Sequence, residues 1–106
     1  MNYLLIINSS ETETIWNAFR FGSAALSRGH TVSAFLLGPA VEIEQLGDER
    51  FDVQKLLLRF DELGGVALSC GTCLRIRKMD AAAVCPMSTM DDLARLTEEA
   101  DRVLTF

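Results

Sequence analysis

The sequence predicts an α/β fold: a three-layer α/β/α domain over residues 1–106, built on a mainly parallel sheet of roughly four or five strands. Two observations predict it. The first apolar run, Tyr3-Leu4-Leu5-Ile6-Ile7, is continuous rather than alternating, as in a strand buried on both faces. Such runs then alternate with longer stretches of helical periodicity, joined by short turns, which is the pattern of parallel strands with crossover helices.

Asn8-Ser9-Ser10 breaks the first strand. A helix over about Glu11–Arg28 follows, because Ile15, Ala18, Phe19, Gly22, Ala25 and Leu26 make one apolar stripe. Glu11 and Glu13 suit its electropositive first turn, Arg28 its last; Ser10 is its expected cap and Gly29 its terminator. Thr31–Leu37 reads as the second strand, stopped by Gly38-Pro39. Ala40–Arg50 mixes Val41, Ile43 and Leu46 with acids and reads as a long surface excursion with room for a short helix. Helical spacing returns over Phe51–Leu63 through Val53, Leu56, Leu57 and Phe60, and Gly64-Gly65 ends it. Val66–Ser69 is the third strand and Thr72–Met79 the third helix. Ala81–Val84 is a short fourth strand or an extended connector. Ser88 is the expected cap of a last helix, with Asp91 as the returning acid and Leu93, Leu96 and Ala100 as the buried face. Val103–Phe106 closes the sheet.

A chain of 106 residues carries one core, and 49% hydrophobic with 24% charged residues is the balance of a globular protein. Tyr3–Ile7 is too short for a signal-peptide core, and no run approaches a membrane span, so the expected location is the cytoplasm. A net charge of -5 repels a phosphate backbone and argues against a nucleic-acid surface.

The chemistry concentrates in Cys70-Gly71-Thr72-Cys73, directly after the Gly65-Val66-Ala67-Leu68 run. The carboxyl end of a parallel strand is where ligands bind, and a thiol at the start of the next helix has its thiolate stabilised. Two cysteines three apart share one helix face, within disulfide reach. Three thiols cannot close a disulfide framework, so sulfur chemistry or metal binding is the better use for them. Cys70 can carry an extra sulfur as a persulfide, Cys70 and Cys73 can form a redox couple, or the pair can bind a metal with Cys85. The metal reading is the weakest: a closed zinc site needs four ligands, and His30 belongs to a helix-to-strand turn at the opposite edge of the sheet. No metal and no cofactor are therefore expected. The plainest alternative is that the thiols are buried fillers.

Val-Ala-Leu-Ser-Cys at 66–70, Cys70-Gly71-Thr72-Cys73, Cys85-Pro86-Met87-Ser88-Thr89-Met90 and the closing Ala100-Asp101-Arg102-Val103-Leu104-Thr105-Phe106 together resemble the DsrE/DsrF-like sulfur-relay family. The likeness is to its Cys-Gly-x-Cys subgroup, related to TusD and TusC, and it spans nearly the whole chain. It implies the three-layer fold, trimers or hexamers, and a cysteine at a strand-to-helix turn that receives and donates persulfide sulfur. That role falls to Cys70, with Cys73 as the second match. The family's usual Arg-Gly after this helix is absent; the run here is Arg75-Ile76-Arg77-Lys78-Met79.

A sulfur carrier needs a partly exposed Cys70, the amides of Gly71, Thr72 and Cys73 beside it, and a resolving thiol, for which Cys73 is the natural choice. Asn8 and Ser9 end the first strand on the same sheet edge and are candidate anion contacts. Arg75, Arg77 and Lys78 read first as a solvated helix end and second as a contact for thiosulfate-like anions or an acidic partner. Trp16 and Phe21 fall off the main stripe of the first helix, which points to a homo-oligomer with the Ala40–Leu46 loop as another contact. The expected function is a sulfur-relay protein with donor and acceptor protein partners. A small thiol-disulfide oxidoreductase and a non-catalytic interaction module are the alternatives.

Overall fold

A computed structural model describes residues 1–106. Leu4, Leu5 and Ile7 are buried, as their unbroken apolar run requires, and belong to strand β1 (Asn2–Ile7), an interior strand of the sheet. The chain continues through α1 (Thr12–Ser27), β2 (Thr31–Leu36), a 3-10 segment (Gly38–Gln45), α2 (Val53–Glu62), β3 (Val66–Cys70), α3 (Gly71–Ile76), β4 (Met87–Ser88), α4 (Met90–Glu99) and β5 (Arg102–Thr105). The sheet has five strands in the order β4-β3-β2-β1-β5, and every pairing is parallel. The α/β reading therefore holds.

Strand order decides which helix lies where. Each step from β1 to β2, β3 and β4 moves one way across the sheet, and the step from β4 to β5 moves back over the other strands. Right-handed crossovers then place α1, α2 and α3 on one face and α4 on the other. The contacts agree. Gly22 of α1 sits between Leu5 of β1 and Phe60 of α2, and Asp92 of α4 reaches Ser88 of β4. Phe19 and Phe60 meet edge to face at 5.2 Å between α1 and α2. No helix is long and apolar enough to cross a membrane.

Several local expectations are corrected. Ser10 does not cap α1: the Glu11 carboxylate accepts from the Glu13 and Thr14 amides, and the Ser9 hydroxyl accepts from Glu11 N–H at 3.0 Å. Ala40–Arg50 begins in the short helix that the sequence left room for, but it is not a surface excursion throughout. Ala40, Val41 and Ile43 are buried, and Gln54 donates to the carbonyls of Ile43 (2.6 Å) and Leu46 (3.0 Å). The 3-10 helix is how a short segment with apolar residues at 40, 41 and 43 turns them inward. Ala81–Val84 is no strand. Cys85 N–H closes a turn onto Ala82, and the ladder to β3 starts only at Pro86, whose carbonyl accepts from Ser69 N–H at 2.9 Å. Ser88 is consequently a strand residue, and Thr89 caps α4 through Asp92 N–H at 3.1 Å.

The third helix stops at Ile76 rather than Met79. Lys78 takes φ 53°, Met79 N–H bonds the Leu74 carbonyl, and Lys78 N–H bonds that of Arg75. This is the Schellman ending that normally uses glycine at the position of Lys78. Trp16 and Phe21 also find partners within the chain: Trp16 meets Phe51 at 5.2 Å, and Phe21 packs on Tyr3 and Phe106. Neither leaves a naked face on α1.

Candidate functional site

In an open α/β sheet, ligands bind outside the carboxyl ends of two neighbouring strands whose following connections leave on opposite faces. Here β3 leads into α3 on one face and β4 leads into α4 on the other. A cavity of about 320 Å³ occupies this crevice, lined by Cys70, Gly71, Thr72, Arg75, Met87, Ser88, Thr89 and Met90.

Cys70 closes β3 and caps α3. Its Sγ accepts from Cys73 N–H at 3.4 Å. The residue is only 2% exposed, so the expected partial exposure is corrected: Cys70 is buried and borders the cavity that it helps to line. Gly71 lets β4 approach closely. A Cβ on it would meet Met87 Cγ at 2.9 Å, Met87 Sδ at 3.0 Å and the Ser88 carbonyl at 3.2 Å. Thr72 sits on the exposed rim and accepts from Arg75 at 3.1 Å.

Cys73 faces away from this crevice. Its Sγ accepts from Gly38 N–H at 3.2 Å. Burial raises the Cys73 thiol above its ordinary pKa, its hydrogen bond with the Cys70 thiol raises it further, and Gly38 N–H and the Arg77 guanidinium act the other way. Gly38 takes φ 53° and presses on Asn8: a Cβ there would fall 2.5 Å from Asn8 Oδ1. Asn8 thus lies on the Cys73 side of the sheet edge, and Ser9 is occupied by the start of α1. The structure brings Cys70, Gly71 and Thr72 together in the cavity; Cys73 stands beside Cys70, and Asn8 and Ser9 stand outside the cavity.

Arg75, whose second reading was an anion contact, joins the lining; Met87, Ser88, Thr89 and Met90 complete it and are not marked as ligand-facing by their local sequence. The only signal is indirect, the Pro86–Met90 run that follows Cys85. Cys85 itself is fully buried, and its thiol is pushed up to about 12 by burial first and by Asp61 and Glu44 second. All three cysteines are free thiols. His30 sits at the amino edge of the sheet, 2.9 Å from the amino terminus.

Comparisons with known proteins agree with this architecture. The chain is 33% identical to uncharacterized protein MJ0989 of Methanocaldococcus jannaschii, with both chains covered in full. It superposes on the crystal structure of the ychN protein from E. coli with a TM-score of 0.86 and 25% identity, again over 100% of each chain. The model of the DsrE/DsrF-like family matches residues 1–106. The chain, with its thiol-bearing crevice at the end of β3, belongs to the DsrE/DsrF-like family, whose members are generally sulfur-relay proteins.

Proposed function

We propose that this protein carries sulfane sulfur as a persulfide on Cys70. The observation that supports this reading is the position of Cys70: the one thiol lining the crevice, with an amide donated to its Sγ. The Cys70 thiolate attacks the outer sulfur of a donor persulfide. A sulfur–sulfur bond forms to Cys70, the donor's own sulfur–sulfur bond breaks, and the donor thiolate leaves with the electron pair. An acceptor thiolate then attacks the outer sulfur held on Cys70, and the Cys70 thiolate leaves in turn. Neither transfer is a net oxidation or reduction.

Cys73 has the secondary role. Its attack on Cys70 Sγ would form the Cys70–Cys73 disulfide and expel the carried sulfur as hydrosulfide. A pKa raised by burial keeps Cys73 protonated at neutral pH, which slows that attack and lengthens the life of the persulfide. The working partners are donor and acceptor proteins and further copies of this chain, in the cytoplasm; a net charge of -5 disfavours direct nucleic-acid contact.

Incubating the reduced protein with inorganic polysulfide and measuring intact mass tests the reading. One added sulfur atom is expected, absent in Cys70→Ala and retained in Cys85→Ala. Loss of two hydrogens without sulfur gain would replace the carrier by a redox couple, and no modification would favour the interaction module.

A further inference from the structure

The crevice offers two kinds of chemistry. Met87 and Met90 present soft, polarisable thioethers. Thr72, Arg75 and Thr89 present a guanidinium and hydroxyls. Cys70 lines the same cavity at the end of β3, with Thr72 and Arg75 following it, and Met87, Thr89 and Met90 come from the end of β4. Arg75 forms no ion pair; the salt bridges of the chain are made by Arg77 and Arg95. One of its nitrogens is steadied on Thr72 Oγ1 at 3.1 Å, and its other donors stay free. The hydroxyls of Thr72 and Thr89 accept one bond each, from Arg75 and from Asp92 N–H, and keep their protons available. Ser88 is spent on Asp92 at 2.7 Å, and Asp92 itself pairs with Arg95 at 3.5 Å. No carboxylate lines the cavity.

A ligand suited to both kinds of group has one soft sulfur end and one hard anionic oxygen end. A cysteine that is 2% exposed and lines a cavity of about 320 Å³ also favours a small molecule over a broad protein surface. We infer that the crevice takes a small sulfane-sulfur oxyanion, of which thiosulfate is the simplest, as a direct donor to Cys70. The inference rests on Cys70 being the sulfur-loaded residue. The sulfonate oxygens sit on Arg75 and the two threonines, and the sulfane sulfur turns to Cys70 and the thioethers. The Cys70 thiolate attacks that sulfur, the sulfur–sulfur bond of thiosulfate breaks, and sulfite leaves with the electron pair. The products are a Cys70 persulfide anion and sulfite, so charge and electrons balance.

The test measures sulfur gain by intact mass and sulfite release together, with thiosulfate and, in parallel, with uncharged elemental sulfur. Wild type is expected to load from thiosulfate with one sulfite released per sulfur gained. The ratio of thiosulfate to elemental-sulfur loading rates should fall about tenfold or more in Arg75→Gln, since a hydrogen bond to a charged group is lost. Arg75→Lys should recover part of it. Lys78→Gln, which removes the same charge three residues away, should leave the ratio unchanged. Loading from elemental sulfur but not from thiosulfate would overturn the oxyanion donor alone, as would equal ratios in Arg75→Gln and Lys78→Gln. No loading from either donor, and none from polysulfide, would overturn the carrier function with it.

Discussion

Lys78 holds a left-handed backbone conformation that costs a side-chain-bearing residue about 1–2 kcal/mol. The chain tolerates it because both Schellman bonds close the end of α3. Lys78→Gly is therefore expected to stabilise the fold by about 1 kcal/mol, read as a higher urea midpoint at unchanged slope; a lower midpoint would count against the assigned ending. Cys85 gives a second prediction at this scale. Its folded pKa of about 12 lies above the ordinary thiol value of about 8.5. The unfolded chain loses that proton first as pH rises, so the stability is complete below about pH 8.5 and drains away up to about pH 12. The slope is about 1.4 kcal/mol per pH unit. Cys85→Ala lacks this loss, so the stability gap between wild type and variant should narrow with each alkaline step in urea titrations. A gap independent of pH would mean that the thiol is not buried.

At the scale of elements, the strand-to-helix turn at Cys70 was legible because the apolar run Val66-Ala67-Leu68 leads, one residue on, into a Gly-containing pair of thiols. The partner strand was not. β4 is two residues long, Met87–Ser88, and no periodicity can register over two residues. Its place is set by tertiary hydrogen bonds, Pro86 accepting from Ser69 and the register that pairs Cys70 with Ser88. The apolar Ala81–Val84 run gave a stronger local signal for the wrong segment. The shift of the α4 cap from Ser88 to Thr89 has the same origin, because the ladder claims Ser88 first. This junction can be tested directly. An alanine at Gly71 would push on Met87, an exposed side chain able to swing aside, and on the Ser88 carbonyl at 3.2 Å, which is less free. Gly71→Ala should cost less than about 1.5 kcal/mol of stability and yet slow sulfur loading of Cys70, by moving a thioether within the crevice. Unchanged loading at unchanged stability would show that Met87 has no part in the site.

At the scale of the whole molecule, strand order carries the functional information that the sequence withheld. The reversal between β3 and β4 makes the crevice, and no local pattern encodes a reversal. The same topology leaves α4 as the only helix on its face of the sheet. Register puts Val103, Leu4, Ser33 and Val66 in one row on that face, with Thr105, Ile6, Phe35 and Leu68 in the next. Leu4 is 1% exposed where α4 covers β1, whereas Val103 and Val66, on either side of it, are 43% and 51% exposed. We propose the sheet face flanking α4 as the surface for self-association, in place of α1, whose Trp16 and Phe21 are satisfied internally. A second copy covering this face accounts for valines that one helix leaves in water. Light scattering should accordingly give the protein a mass of several chains, and Val66→Lys, which puts a charge into that row, should shift it toward one chain while far-ultraviolet circular dichroism stays unchanged. A wild type that runs as a single chain at high concentration, or a Val66→Lys assembly identical to wild type, would remove this face from the interface.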